Sequence, residues 1–176
     1  MTLKLKRSPG IYLVGFMGCG KSTVGAQLAE AIGWRFLDLD TRIEQEQGTT
    51  IAQIFAHRGE SEFRRIETET LSAVIRETQR GRATVASLGG GAFVWPGNRE
   101  KLEDAGVTIW LDVPFARILA RVGASPHRPL AQDPKRFARL FEERRPLYAR
   151  ADYTIPFDTD EANDAVTAIL KLGLLD

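Results

Sequence analysis

Residues 15–22 carry the first pattern that could do chemistry. They read Gly-Phe-Met-Gly-Cys-Gly-Lys-Ser and match the phosphate-binding pattern G-x-x-x-x-G-K-S/T. Glycines let successive backbone N–H groups turn toward one centre, and a helix that begins near Lys21 adds its positive end. Lys21 could reach the terminal phosphates of a nucleotide, while the Ser22 hydroxyl could face Mg²⁺. The segment therefore predicts a loop that binds a nucleoside triphosphate.

Two carboxylates follow the next apolar run, at Asp38 and Asp40. If a strand continues through Leu39, its alternation sends both carboxylates to the same side. Two like charges held close together are costly unless a cation or a substrate hydroxyl joins them. One could serve a metal ion and the other could orient or deprotonate an acceptor alcohol, as phosphoryl transfer requires. The alternative is that Asp40 only caps a helix that starts at Thr41.

Three further groups could bind a ligand, and each also has a plainer interpretation. The three glycines at 89–91 permit close approach of the backbone to a ligand, or they form a simple tight turn. Arg64 stands three residues before Glu67, so a helix would pair them, either beside a ligand or on a solvated surface. Arginines around a Gly- and Pro-containing segment could neutralise phosphate on closure of a lid, or lie solvated on helix faces; they are Arg121, Arg128, Arg144 and Arg145.

Five short apolar runs alternate with segments of helical spacing. The runs occupy residues 11–14, 34–39, 83–88, 107–111 and 153–157. This alternation predicts a parallel sheet that is covered on both faces and binds ligands at the carboxyl ends of its strands. Between the second and third runs, residues 51–80 form a long helical stretch that is broken near Gly59.

Length and composition limit the classes of function. A chain of 176 residues with 43% hydrophobic and 27% charged content has the make-up of one soluble domain. The formal charge of +1 recommends neither a nucleic acid nor an anionic membrane as partner. One cysteine, Cys19, excludes an internal disulfide and, with only two histidines, does not suit a structural zinc site. We expect a cytoplasmic protein, because no apolar run approaches the roughly 18 residues that span a bilayer.

Taken together, these residues resemble the shikimate kinases. The resemblance covers nearly the whole chain and rests on residues 15–22, 38–40, 59–67, 89–91, 128–130 and 144–148. It implies an α/β fold, namely a P-loop nucleoside-monophosphate-kinase-like three-layer sandwich with a five-stranded parallel sheet in the order 2-3-1-4-5. It also implies that residues 1–176 form a single P-loop kinase domain, with a substrate-binding helical insertion at about 41–80 and a mobile lid at about 122–134.

The activity that the resemblance implies is Mg²⁺-dependent transfer of the ATP γ-phosphate to the 3-hydroxyl of shikimate, which yields 3-phosphoshikimate and ADP on the route to chorismate and the aromatic amino acids. We expect a monomer that binds shikimate and ATP, and neither nucleic acid nor membrane. The implied catalytic residues are Asp40, Lys21 and Arg128. The implied ATP-binding residues are Gly18, Cys19, Gly20, Lys21, Ser22, Thr23, Arg121 and Arg128. Substrate would be bound by Asp40, Arg64, Gly89, Gly90, Gly91 and Arg144, and Mg²⁺ by Ser22 and Asp38.

Two alternatives stay open at this point. One is another small-metabolite kinase with the same phosphate loop, such as a gluconate kinase, and the other is a nucleotide-binding module without catalysis. The chain also departs from the family pattern: Ala131 stands where the family often has a second leucine in the lid, and residues 155–161 contain no arginine beside the expected adenine site. The three tryptophans match no motif that demands chemistry; they are Trp34, Trp95 and Trp110.

Overall fold

The computed structural model describes residues 9–123 and 133–175. Within them, five strands form one sheet in the order β2-β3-β1-β4-β5, and every neighbouring pair is parallel. This confirms the predicted α/β fold and its strand order. The strands are β1 (Gly10–Val14), β2 (Arg35–Asp38), β3 (Thr84–Ser87), β4 (Val107–Asp112) and β5 (Tyr153–Pro156).

Helices cover both faces of this sheet. The connection from β1 to β2 runs toward one edge and the connection from β3 to β4 runs toward the other. Because such crossovers are right-handed, the two connections place their helices on opposite faces. The helices of the described chain are α1 (Lys21–Ile32), α2 (Leu39–Gln47), α3 (Ile51–Gln79), α4 (Asn98–Glu103), α5 (Phe115–Gly123), α6 (Pro134–Tyr148) and α7 (Ala162–Leu170).

The central strands are buried on both sides, which explains their continuous apolar sequence. All five residues of β1 are buried, as are the four residues of β3, whereas β5 at the sheet edge alternates between exposed and covered positions. The core cluster extends from these strands to aromatic side chains of the loop after β1 and of α6, where Phe16 meets Phe137 and Phe141 edge to face at 5.2 and 5.3 Å. The sheet therefore gives the loops at its carboxyl edge a rigid base.

The second strand is shorter than its sequence predicts. It ends at Asp38, and α2 begins at Leu39, so strand alternation does not place the carboxylates of Asp38 and Asp40. The local reason is an N-cap: Asp38 Oδ1 accepts from the backbone N–H of Thr41 at 3.0 Å. Asp38 is the cap, and Asp40 lies in the first turn of the helix. The prediction that β2 continues through Leu39 is wrong, and so is the prediction that Asp40 is the N-cap of the following helix.

The long helix α3 is broken at Gly59, as predicted. This residue has φ 81° and ψ 171°, a backbone conformation that glycine adopts far more readily than other residues. The helix begins with a capping box in which Thr50 and Gln53 satisfy each other's backbone N–H groups. No helix within residues 9–123 or 133–175 is both long and apolar enough to cross a membrane.

Glu77, near the end of α3, joins three elements through ion pairs. Its carboxylate accepts from Arg35 of β2 and from Arg42 of α2, each at 2.8 Å. These hydrogen bonds, that from Arg42 first, hold the pKa of Glu77 down at about 2, against its ordinary value of 4.5. Because folding lowers this pKa, the ionised Glu77 carboxylate stabilises the folded protein above about pH 4.5. This contribution to the free energy of unfolding is lost as the pH falls toward about 2.

We therefore expect Glu77→Gln to lower the free energy of unfolding at pH 7 by about 1–3 kcal/mol. The deficit should shrink at pH 3, where the wild-type carboxylate has lost part of its advantage. Urea denaturation at both pH values measures this. Glu103→Gln is the matched control, because Glu103 is 56% exposed and its pair with Arg99 should contribute less than about 0.5 kcal/mol. If both variants lose the same free energy of unfolding, the ion pairs of Glu77 do not stabilise the protein more than an exposed pair does.

Candidate active site

The loop between β1 and α1 has the backbone geometry of an anion cradle. Gly18 and Gly20 adopt positive φ values of 79° and 91°, which other residues reach only at a cost. Gly20 is also the N-cap of α1, and no side chain caps that end of the helix. The first N–H groups of α1 are thus available to an anion, and the helix dipole favours negative charge at this position.

The side chain of Lys21 lies inside this loop, whereas that of Ser22 reaches the carboxyl ends of β2 and β3. The Lys21 side chain is buried, and its Nζ donates to the carbonyl oxygens of Gly15 and Phe16, each at 2.9 Å. Ser22 Oγ donates to Asp38 Oδ2 at 2.5 Å and lies 3.3 Å from Ser87 Oγ. These oxygens meet because Asp38 and Ser87 are register partners at the ends of β2 and β3.

Asp40 faces the glycines that follow β3. A Cβ placed on Gly89 would lie 2.7 Å from Asp40 Oδ1 and 3.2 Å from Glu67 Oε1, so both carboxylates converge on this glycine. Burial raises the pKa of Asp40 above its ordinary value of 3.8, and the negative charge of Asp38 raises it further. Lys21 and Arg64 oppose the rise through their positive charges. The carboxyl group of Asp40 therefore packs on the backbone of the glycines after β3, next to Glu67.

A buried ion pair lies beside Asp40. Arg64 NH1 donates to Glu67 Oε2 at 2.7 Å, and the two side chains are 9% and 1% exposed. Burial raises the pKa of Glu67, the charge of Asp40 adds to the rise, and the nearby guanidiniums of Arg64 and Arg144 oppose it. Sequence spacing predicted the pair between Arg64 and Glu67; the structure shows that it is buried, which excludes the solvated-surface alternative.

The three glycines place backbone where side chains would collide with this charged cluster. A Cβ on Gly91 would come within 2.5 Å of the Arg64 guanidinium. A Cβ on Gly90 would lie 3.3 Å from the backbone nitrogen of Met17 and 3.6 Å from an Arg144 nitrogen. The run therefore packs closely against the phosphate loop, α3 and α6, and it is more than a plain turn.

Arg121 of α5 lies at the outer side of the phosphate loop. Its guanidinium donates to the carbonyl oxygen of Gly18 at 3.2 Å and to that of Thr159 at 3.0 Å. It also pairs with Asp160 at 3.1 Å and lies 5.5 Å from the centre of the Phe157 ring. Residues 155–161, which contain no arginine, thus hold Arg121 through one carboxylate, that of Asp160, and one backbone carbonyl, that of Thr159.

The other two arginines of the predicted group have different positions. Arg145 pairs with Asp112 at 3.2 Å, outside the cluster around Asp40. Arg128, with most of the expected lid, lies outside the described residues.

Sequence reasoning missed Tyr148. Its hydroxyl donates to the carbonyl oxygen of Gly90, and its ring is buried beside Trp110 with a centroid separation of 6.2 Å. Burial raises the pKa of Tyr148, so the hydroxyl stays a hydrogen-bond donor. The only available signal was its place four residues after Arg144, which puts both side chains on one face of α6.

The fold and this site define a P-loop phosphotransferase for a small molecule, since a phosphate loop faces a buried carboxylate and two guanidiniums. The family model described as "Shikimate kinase" matches residues 17–172. The chain belongs to the shikimate kinase family.

Individual relatives agree with this assignment. A curated shikimate kinase from Persephonella marina is 41% identical over 91% of this chain and 96% of its own length. One from Mycobacterium avium is 46% identical over 89% of this chain and 87% of its own length. The solved structure of a shikimate kinase from Acinetobacter baumannii in complex with shikimate is 39% identical, with a TM-score of 0.83 over 95% of this chain and 93% of that one.

We expect Gly89→Ala to lower the turnover of phosphoryl transfer by on the order of tenfold to a hundredfold, because the added methyl must displace the Asp40 carboxylate. Affinity for ATP should change little, since Gly89 faces Asp40 and Glu67 rather than the phosphate loop. Steady-state kinetics combined with ATP titration measures both effects. Unchanged turnover would mean that the position of Asp40 beside Gly89 has no bearing on the chemistry.

Proposed function

We propose that this protein transfers the γ-phosphate of ATP to the 3-hydroxyl of shikimate with the help of Mg²⁺, giving 3-phosphoshikimate and ADP. The observation that carries the proposal is that Asp40 and the phosphate loop meet at the glycines after β3. A Cβ on Gly89 would lie 2.7 Å from Asp40 Oδ1, and a Cβ on Gly90 would lie 3.8 Å from Gly15 O, the carbonyl oxygen that accepts from Lys21 Nζ. A carboxylate in this position can hold an alcohol opposite a bound triphosphate. A buried carboxylate beside a phosphate loop is what phosphoryl transfer to an alcohol needs, and this favours an enzyme over a nucleotide-binding module without catalysis.

The nucleotide would lie along the loop between β1 and α1. Backbone N–H groups of Gly18, Cys19 and Gly20 and the start of α1 would bind its phosphates, and Thr23 extends this first turn. Lys21 is already inside the loop, so its ammonium would exchange carbonyl partners for phosphate oxygens. Arg121 stands beside Gly18, where its planar group can pack on the adenine.

Ser22 and Asp38 would hold Mg²⁺. Their hydroxyl and carboxylate oxygens meet at 2.5 Å, and hard oxygen ligands are the ones this ion prefers. Among the described residues, no group of three or more His, Cys, Asp or Glu side chains could form a metal cage. That suits Mg²⁺, which is commonly bound through one or two protein oxygens, substrate phosphates and water. When bound, the ion would offset the negative charge of the phosphates.

Asp40 would act as the base toward the acceptor alcohol. Its raised pKa makes the carboxylate a stronger base than free aspartate, which favours removal of a hydroxyl proton during attack. The same carboxylate would accept hydrogen bonds from the acceptor hydroxyls and hold one of them in line with the phosphate.

Arg64 and Arg144 would bind the carboxylate of shikimate, and the backbone around Gly90 and Gly91 would line the pocket floor. Guanidinium groups suit this task because their N–H donors match the geometry of a carboxylate. Glu67 would orient Arg64 by holding its NH1 nitrogen. The pair of arginines favours an acceptor with a carboxylate, which both shikimate and gluconate have, and the family assignment favours shikimate over gluconate. We further propose that the protein works as a cytoplasmic monomer.

The direct test supplies ATP and Mg²⁺ with shikimate, gluconate or a nucleoside monophosphate and measures ADP release. We expect rapid ADP release when shikimate is the acceptor but not when gluconate or a nucleoside monophosphate is. No acceptor should give ADP release when Mg²⁺ is chelated. Turnover of gluconate or a nucleoside monophosphate without turnover of shikimate would overturn the proposal.

Asp40→Asn should lower kcat by at least about 100-fold while ATP binding is retained, because the amide keeps the size of the side chain but cannot take the proton. Asp104→Asn, at an exposed residue that follows α4, is the control and should keep wild-type kinetics. Full turnover in Asp40→Asn would remove Asp40 from the role of base.

Arg64→Ala should raise the KM for shikimate by about 10- to 150-fold, as loss of a paired charged contact predicts. The KM for ATP should stay within about twofold, since Arg64 lies on the acceptor side of the pocket. Arg65→Ala is a matched control on the same helix, because Arg65 is 54% exposed and pairs only with Glu62 and Glu69 in the described structure. A KM for shikimate that does not change would place the carboxylate elsewhere.

A further inference from the structure

Trp95 belongs to no sequence motif, yet the chain holds it against the proposed acceptor site. The loop after β3 turns back on itself, so that Trp95 N donates to the carbonyl oxygen of Gly91 at 3.1 Å. Asn98 secures the loop: its side chain donates to Ala92 O and accepts from Thr68 Oγ1, each at 2.9 Å. Asn98 is fully buried, and Thr68 belongs to α3, so the loop is tied to the helix that carries Arg64.

Two aromatic rings flank the Arg64 guanidinium. Its central carbon lies 5.5 Å from the centre of the Trp95 ring and 5.1 Å from that of Phe63. Phe63 is buried in the core, but Trp95 is 38% exposed and is one of the more exposed large apolar side chains of the described chain. Trp95 therefore contributes little to the hydrophobic core, and its main contact of this kind is with the guanidinium of Arg64.

The guanidinium is held incompletely by charged partners. Arg64 NH1 pairs with Glu67, whereas Arg64 Nε is buried and makes no hydrogen bond within the described structure; the nearest Glu60 oxygen lies 3.6 Å from it. A further carboxylate on Arg64 would compete with an acidic ligand for the same N–H donors. An aromatic ring contacts the face of the guanidinium and leaves the N–H donors at its edge available.

We propose that Trp95 is a positioning residue that orients Arg64 and excludes water from its contact with the acceptor, and so sets the preference for acceptors with a carboxylate. This inference rests on the proposed function and deepens it. A charge pair is stronger where water is excluded, because the effective dielectric constant is lower. Trp95 therefore favours the bound carboxylate through Arg64, without contact with the transferring phosphate.

The test compares three substitutions at Trp95. Trp95→Ala and Trp95→Leu remove the aromatic face, and Leu also keeps apolar volume, whereas Trp95→Phe keeps a smaller aromatic ring. We expect the KM for shikimate to rise about 3- to 10-fold in the Ala and Leu variants and less in the Phe variant, with kcat and the KM for ATP within about twofold. Trp34→Ala, at a partly exposed tryptophan between α1 and β2, is the control and should leave the KM for shikimate unchanged.

If Trp95→Ala raises the KM for shikimate but Trp95→Leu leaves it at the wild-type value, then Trp95 only fills space. This result would overturn the proposal. A fall in kcat or a rise in the KM for ATP as large as the rise in the KM for shikimate would also overturn it, because such a result indicates general disruption of the site.

A double-mutant cycle with Arg64→Lys tests whether Trp95 acts through Arg64. In the Arg64→Lys background, Trp95→Ala should raise the KM for shikimate less than it does in the wild type, because the planar guanidinium on which the ring packs is gone. Fully additive effects would overturn the inference. Failure of the wild-type protein to phosphorylate shikimate would overturn the proposed function itself. Wild-type activity combined with an unchanged KM in the Ala and Leu variants would overturn only the role of Trp95.

Discussion

The site depends on two buried carboxylates that lie close together and are balanced by cations from distant parts of the chain. Asp40 and Glu67 converge on Gly89, and burial raises the pKa of both carboxyls. The positive charges that oppose this come from three separate helices: Lys21 of α1, Arg64 of α3 and Arg144 of α6. Removing one partner of a buried ion pair costs about 3–5 kcal/mol. The cluster therefore ties the packing of these helices around the sheet to the chemistry at its edge.

This balance also explains why glycines follow β3. A side chain at Gly89 or Gly91 would collide with Asp40 or Arg64, and one at Gly90 would be tightly packed against the phosphate loop. The hydroxyl of Tyr148 then fixes the middle of the run by donating to Gly90 O. The proposed acceptor site thus has backbone on one side and charged side chains on the other. A small ligand bound there would meet both kinds of group at the same time.

The sequence was sufficient for features that local patterns encode. The phosphate loop, the five strands and the break at Gly59 each follow from a motif, an apolar run or a single residue with special backbone freedom. The strand order came from resemblance to a family, because periodicity does not determine how strands pair. The predicted end of β2 was wrong because two local signals compete there. The apolar run extends to Leu39, but the N-cap at Asp38 ends the strand one residue earlier and starts the helix at Leu39.

Contacts between distant residues could not be read from the sequence. Spacing pairs Arg64 with Glu67, but it gives no sign that Glu67 lies beside Asp40 or that Trp95 packs on the guanidinium. The pairing of Arg121 with Asp160 spans 39 residues and depends on the adjacency of β4 and β5 in the sheet. These interactions are tertiary, so the arrangement of the sheet has to be known before they can be inferred.

A crystal structure of the protein with ADP, Mg²⁺ and shikimate would show whether the Asp40 carboxylate faces the acceptor alcohol. We expect the nucleotide phosphates on the loop before α1, the shikimate carboxylate on Arg64 and Arg144, and a shikimate hydroxyl within hydrogen-bonding distance of the Asp40 carboxylate. Shikimate bound away from Asp40, or with its carboxylate toward the phosphate loop, would contradict the account.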